Sequence, residues 1–321
     1  MAVAANEEVA PDPVRFLAVG DVMLSRKVAG SIRAAHDPLL PFRALAPLFD
    51  GVDFTFANLE GPFSGSEAFA DVDDPRASVF NVPPANVAGL VRHRFSLLNL
   101  ANNHVMDQGP KGVGYTRALL AEKGLVFTGA GATLDEAWEP AFVTVRGVRV
   151  GLVGASYCSI NDGGKTRNPH VARIEDEDRL ARALAKARAG ADFVIATMHA
   201  GVEYAETPNP AQRRFAEAAV AAGADVVIGA HPHVLEPIDQ VSGKLVFYSL
   251  GNFVFDHKPA ATRRSVAVRL TLSARPKERG KLERVELYPM FIDGVTPRPA
   301  TPEEARGVLA ALRVEKTTLL P

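Results

Sequence analysis

Five short polar segments of this chain each begin where an apolar run of strand length ends. Gly20-Asp21 follows VRFLAV, Asn58-Leu59-Glu60 follows FTFA, and Asn102-Asn103-His104 follows SLLNLA. His199 follows DFVIATM, and His231-Pro232-His233 follows DVVIGA. In an α/β sheet, ligands collect beyond the carboxyl ends of the strands. If these runs are strands of one fold, the carboxylates of Asp21 and Glu60, the amide of Asn103 and the imidazoles of His199, His231 and His233 meet on one rim. That mixed nitrogen and oxygen set suits one or two transition-metal ions.

The rest of the chain alternates in the way such a fold requires. Strands are expected at Arg15–Val19, Phe54–Ala57, Ser96–Leu100, Leu125–Thr128, Ala141–Val145, Val148–Val153, Phe193–Met198 and Val226–Gly229, as short apolar runs between glycine or polar punctuation. Helical stretches lie between them at Leu24–Ala35, Ala85–His93, Gly112–Lys123, Asp176–Ala189 and Ala211–Ala222. The later runs Leu235–Val241, Leu245–Tyr248, Ser265–Leu272 and Leu282–Phe291 read as β structure, with Gly243 at a hairpin turn. Alternation followed by a hairpin-rich tail predicts an α/β fold of two packed β-sheets flanked by helices, a four-layer α/β/β/α sandwich. Residues 1–13 read as a flexible tail, 14–294 as the domain, and 295–321 as an extension carrying a short helix with Thr301 as N-cap and Glu304 three residues on. Gly61–Val82, Asn161–Pro169 and His257–Arg264 lack a clean period and are expected to be loops.

Composition narrows the partners. With 321 residues, 47% of them hydrophobic and 23% charged, the chain can bury a large core and is neither disordered nor fibrous. A net charge of −1 gives no electrostatic reason to expect nucleic acid. The single Cys158 excludes an intrachain disulfide framework and reads as buried filler. The N-terminus lacks the basic and apolar regions of a signal peptide, and no run approaches the ~18 apolar residues of a membrane span. The expectation is a cytoplasmic protein, with a small-molecule or polymer substrate and no nucleic acid or membrane span.

Each motif has a plainer reading beside the chemical one. Residues two apart in an extended chain face the same way, so both imidazoles of His231-Pro232-His233 can address one cluster; alone, the same triplet is as readily two surface histidines. His104 is adjacent to a proposed ligand and must point elsewhere, and Asp107 can hold its tautomer. That pair suits a general acid beside a metal; the alternative is a helix N-cap built from Asn and Asp. Asp21 and Glu60 are each as easily turn or cap residues. Glu203, in HAGVE, is a supporting carboxylate, a general base or an exposed turn acid. Asn252, in SLGNFVFD, either reaches the rim or caps a turn. His36, His93, His170 and His257 have no paired ligand and read as incidental.

Taken together, AVGDVML, FANLEGP, LLNLANNHVMDQG, TMHAGVEY, DVVIGAHPHVLEPI and VFYSLGNFVFD resemble, in order, the CapA family of capsule and poly-γ-glutamate biosynthesis proteins. The resemblance spans about Ala18 to Asp256, and the family in turn is similar to the calcineurin-like metallophosphoesterases. It implies that Asp21 binds a first metal, that Glu60 bridges two, that Asn103, His199 and His231 hold the second, and that His233 returns to the first. His104 would give a proton to the leaving group. The superfamily's first motif has His two residues after the Asp; here that residue is Met23, a poor ligand for hard divalent ions. One tight and one weak site are therefore expected, for Mn²⁺, Zn²⁺ or Fe ahead of Mg²⁺. The reading that follows is a metal-dependent hydrolase of a phosphoester or amide bond in the metabolism of an anionic polymer. Its alternatives are a non-hydrolytic accessory protein for polymer synthesis or export, and an acid–base epimerase using the same rim.

Overall fold

The computed structural model describes residues 11–71, 74, 76–157, 168–315 and 318–319. Strands β1 (Val14–Val22), β2 (Phe54–Leu59), β3 (Leu97–Asn99) and β4 (Val126–Thr128) run parallel and side by side in a first sheet. The chain then builds a second sheet from β5 (Ala141–Val145), β6 (Val148–Ser156), β7 (Phe193–His199), β8 (Val226–Ala230), β9 (Ile238–Val241) and β10 (Lys244–Phe247), in the order β5-β6-β7-β8-β10-β9. It returns to the first sheet with β11 (Asn252–Val254), β12 (Arg264–Leu272), β13 (Leu282–Asp293), β14 (Thr296–Pro299) and β15 (Thr318–Leu319). β12 pairs antiparallel with β1, while the short β11 adds in parallel at the carboxyl end of β1.

The helices are α1 (Arg26–Ala35), α2 (Ala46–Phe49), α3 (Val87–Arg92), α4 (Gly109–Glu122), α5 (Leu134–Ala137), α6 (Glu177–Gly190), α7 (Pro210–Ala221) and α8 (Pro302–Ala311). Three cores make four layers. Because side chains alternate along a strand, Phe16 and Ala18 of β1 face the core between the sheets, while Leu17 and Val19 face the core under α1, α3 and α4. In β7, Phe193 and Ile195 join the core between the sheets, and Val194, Ala196 and Met198 pack under α6 and α7. The continuous apolar runs are thus strands buried on both faces. This is the expected sandwich of two sheets flanked by helices.

Several sequence signals act as read. Thr301 and Glu304 form a capping box at α8, and Val308 and Leu312 reach the core between the sheets. Ser242 and Gly243, both at positive φ, turn β9 into β10. Asp176, placed inside a helix by its pattern, instead caps α6 by accepting from the Arg179 amide. The expected loop Gly61–Val82 holds no helix or strand among its described residues and is anchored at both ends: Phe63 bridges Val82, and Phe63, Phe80, Asn81 and Val82 are buried. One signal misleads. The expected strand at Leu235 starts only at Ile238, since Leu235 makes a single bridge to Leu250 and Glu236 accepts from the Gln212 amide. Cys158 and most of Asn161–Pro169 lie outside the described residues, as does most of the N-terminal tail. No helix among the described residues is long and apolar enough to cross a membrane.

Candidate metal centre

Register places the site. Across the first sheet Asn252, at the start of β11, stands beside Asp21, Asn58 and Asn99 near the carboxyl ends of β1, β2 and β3. Across the second sheet His199 pairs with Ala230, the residue before His231. Two strand ends can only come this close where no side chain intervenes. A Cβ on Gly20 would lie 1.8 Å from the Gly251 carbonyl oxygen, so only glycine lets β1 meet the turn into β11.

The six expected ligands converge, and all are buried. His199 Nε2 lies 2.7 Å from Asn103 Oδ1 and 3.2 Å from His231 Nδ1. His233 lies 3.5 Å from Asp21 Oδ2 by its Nδ1 and 3.7 Å from Glu60 Oε1 by its Nε2. Asp21 Oδ1 is 3.8 Å from His199 Nδ1, and ligand atoms of Asp21, Glu60 and His199 all fall within 4.8 Å of one another. Ligand atoms bonded to one ion at about 2.1 Å stand about 3 Å apart; His199 meets that spacing with Asn103 and His231, and the other pairs are wider.

The electrostatics of the chain alone are unfavourable. Both oxygens of Glu60 are buried and have no hydrogen-bond partner among the described residues. Burial, and then the charge of Asp21, push its carboxyl well above the usual range. Burial and the neighbouring His231 hold the His199 imidazole well below its ordinary value, and burial and His233 lower His231 to about 3. Burial opposes charging of His233 too, but Glu60 and Asp21 outweigh it and raise it to about 9. A buried carboxylate that accepts no hydrogen bond is costly. A divalent cation among two carboxylates, an amide oxygen and imidazoles would remove that cost, releasing the proton His233 holds without it, so the donor set fits a metal.

Supporting side chains orient the donors. Asn252 Oδ1 accepts from His233 Nδ1 at 2.8 Å, which turns Nε2 toward Glu60. The Asn58 amide donates to Asp21 Oδ1 at 2.7 Å and sits 3.1 Å from His199 Nδ1. Its own oxygen accepts from Asn99 at 3.0 Å. Met23 is buried in the core, and its sulfur accepts from the Ser25 amide at 3.0 Å, so this position packs and caps a turn.

His104 stands at the edge of the cluster, its Nε2 3.8 Å from Glu60 Oε1. Its Nδ1 is 2.8 Å from Asp107 Oδ2, which also accepts from the Phe80 amide at 2.6 Å. Asp107 therefore serves the imidazole, and α4 has no side-chain cap; the local turn is made by Asn102, whose Oδ1 accepts from the His104 amide.

Glu203 is not brought in. It is exposed on the turn after β7, with no hydrogen bond or ion pair among the described residues, and the supporting role expected of it is not filled. Its neighbour Tyr204 faces the site instead, with ring centroids 6.4 Å from His233 and 6.0 Å from His257. The reading of His257 as incidental is also corrected: its ring stands edge-on to His233 at 4.7 Å, and its buried Nδ1 has no hydrogen-bond partner among the described residues. Sequence reasoning missed Arg26, Asn58, Phe80 and His257. Only Asn58 carried a signal, as a polar residue ending the apolar run of β2.

The model of the bacterial capsule synthesis protein PGA_cap family matches residues 15–257. A PGA biosynthesis protein CapA of Bacillus subtilis is 34% identical over 282 residues, covering 88% of this chain and 72% of the relative. A Mycobacterium tuberculosis protein named "Probable polyglutamine synthesis accessory protein" is 32% identical over 292 residues, covering 86% of this chain and 76% of that one. Among solved structures, a 5'-nucleotidase precursor from Thermus thermophilus shares the fold with a TM-score of 0.52 at 15% identity, over 94% of this chain and 58% of that one. The match to the family model over most of the domain, with relatives at this identity, means that the chain belongs to the PGA_cap family of bacterial capsule synthesis proteins.

Proposed function

We propose that this chain is a metal-dependent hydrolase that cuts a phosphoester or amide bond in the metabolism of a capsule or polyglutamate-type polymer. The observation that carries the reading is Glu60, whose two buried oxygens accept no hydrogen bond among the described residues and lie in a ring of Asp21, Asn103, His199, His231 and His233. Asn103, His199, His231 and Glu60 would hold the tighter ion; Asp21, His233 and Glu60 would hold the weaker, since Met23 donates nothing there. Imidazole donors favour Mn²⁺, Zn²⁺ or Fe over Mg²⁺. When bound, such ions polarise the scissile group and lower the pKa of a water.

The remaining steps belong to the chain. His104 carries a proton at Nε2 toward the leaving atom, an oxygen or a nitrogen. Asp107 holds the Nδ1–H and steadies the imidazolium. Asn252 and Asn58 keep His233 and Asp21 aimed. Elemental analysis of the purified protein, paired with turnover of nitrophenyl phosphates and γ-glutamyl anilides with and without Mn²⁺, tests the reading. Bound metal with metal-dependent turnover of either class supports it, and bound metal without turnover sinks it.

A second reading is favoured by one observation, the engagement of Met23 in packing, which leaves Asp21 and His233 a ligand short. A non-hydrolytic accessory role in polymer synthesis would then follow, in keeping with the name of the mycobacterial relative.

A further inference from the structure

One cation stands beside the cluster without belonging to it. Arg26 opens α1 with φ +46°, a left-handed backbone uncommon for a residue bearing a side chain. Such outliers persist only where the surroundings impose them, and they gather at functional sites. Tyr204, His231 and His233 share the feature at φ +66°, +104° and +60°.

The surroundings of Arg26 are specific. Asp256, whose side chain is buried, accepts from Arg26 Nε at 3.2 Å and from Nη2, and also from the Lys27 amide. The guanidinium carbon lies 4.7 Å from the Phe80 ring centroid and 5.4 Å from that of Phe255. Those two rings pack in turn on imidazoles, Phe80 on His104 at 3.8 Å and Phe255 on His233 at 4.8 Å. The guanidinium is thus one aromatic ring away from the proposed acid and from a proposed ligand. Asp256 occupies Nε and Nη2, and Nη1 has no hydrogen bond among the described residues. Neutralising Asp256 does not by itself account for the arrangement, because a buried ion pair contributes little over apolar packing. A fixed guanidinium with a spare donor is the group that recognises carboxylate or phosphoryl oxygens.

We propose that Arg26 is an anion receptor: Nη1 takes a phosphoryl or carboxylate oxygen of a substrate whose scissile group lies at Glu60. The substrate then carries a second anionic group close to the bond that is cut. The cutting rests on the hydrolase reading above; the receptor is tested by binding alone.

The test is calorimetric titration of the full chain, with and without Mn²⁺, using three non-hydrolysable probes. Methylphosphonate carries one anionic group, phosphonoacetate adds a carboxylate, and methylenediphosphonate adds a phosphoryl group. Wild type is expected to bind at least one of the two doubly anionic probes about tenfold or more tighter than methylphosphonate, as a charged hydrogen bond allows. The arm that shows the increment names the group. In Arg26→Gln/Asp256→Asn, where no buried charge is left unpaired, the increment should fall below about threefold. Arg26→Lys keeps the charge but loses the fork, and should lose part of the increment. An increment absent from wild type, or undiminished in the folded double variant, overturns the proposal. If the double variant does not fold, a full increment in Arg26→Lys overturns it. An increment lost as expected in a protein that hydrolyses nothing leaves the receptor standing and removes only the hydrolase reading.

Discussion

The His104 imidazole lies flat on the ring of Phe80, with centroids 3.8 Å apart and planes 13° from parallel. Asp107 binds the edge of that imidazole through Nδ1, and the same carboxylate oxygen accepts from the Phe80 amide. Face and edge are therefore fixed by two residues that also hold each other. Only Nε2 is left to address the cluster, 3.8 Å from Glu60. A side chain this constrained, and not counted among the ligands, presents a single ring nitrogen to the cluster.

If His104 is the acid, His104→Ala should keep its metal content near wild type and lose turnover by roughly 10²–10⁴-fold on substrates with poor leaving groups. The loss should shrink for a nitrophenolate leaving group, which departs without a proton. Asp107→Asn should show a milder form of the same pattern, because it only orients the ring. Steady-state kinetics on paired activated and unactivated substrates checks this; equal losses on both would remove His104 from the acid role.

The ligand sets of the two proposed ions are unequal. His199 contacts Asn103 and His231 within 3.2 Å, whereas Met23 gives its sulfur to Ser25. His199→Ala should therefore lower bound Mn²⁺ or Zn²⁺ more than Asp21→Ala. Elemental analysis after loading and desalting decides it, and an equal loss in both variants would contradict the asymmetry.

How much of this was legible is set by what a linear pattern can carry. Buried strands appear as apolar runs, and the residue ending each run appears as a polar break, so Asp21, Glu60, Asn103, His199, His231 and His233 could be read directly. The two histidines of His231-Pro232-His233 both reach the cluster, though each needs a positive φ that no strand periodicity foretells. Arg26, Phe80 and His257 were hidden because they reach the site through tertiary packing from a helix start and two aperiodic loops. Glu203 and Tyr204 show the limit most sharply. Adjacent residues in one turn face different ways, and the carboxylate that composition favoured is the one turned to solvent. The three-residue β11 was missed as a strand because its pairing with β1 depends on the glycines at positions 20 and 251, not on its own sequence.

Without metal, the buried imidazoles should make stability fall with acid, while the raised carboxyls of Glu60 and Glu236 act with the opposite sign. Burial first and His233 second lower both His231 and His257 to about 3, against 6.5 when unfolded. Between these values the unfolded chain binds protons that the folded chain does not. This contribution is therefore complete above pH 6.5 and is lost as pH falls toward 3, on the order of 1 kcal/mol per pH unit for each histidine. His233, raised to about 9, acts with the opposite sign and loses its contribution as pH rises through 9. Thermal midpoints in EDTA, measured from pH 6.5 to 4 for wild type and His257→Phe, should show the variant losing less stability with acid by about one proton. An acid limb unchanged in His257→Phe would show that the imidazole is charged in the folded state.

The amide row behind the ligands predicts an effect from a residue that touches no ligand. A Cβ on Gly154 would lie 2.2 Å from Asn99 Oδ1 and 3.0 Å from Thr197 Cγ2. Asn99 would have to move, and its Nδ2 supports the Asn58 oxygen at 3.0 Å, while the Asn58 amide holds Asp21 at 2.7 Å. Gly154→Ala should cost about 1–3 kcal/mol from overpacking. It should also weaken metal affinity by roughly tenfold, as the loss of a supporting hydrogen bond does. Gly114→Ala is the matched control: it lies in α4 with nothing within 4 Å of the new methyl, and it should stabilise by about 0.5–1 kcal/mol with metal affinity unchanged. Denaturant titration and metal titration of both variants check the pair. A Gly154→Ala protein that loses stability yet binds metal like wild type would cut the link from Asn99 through Asn58 to the site.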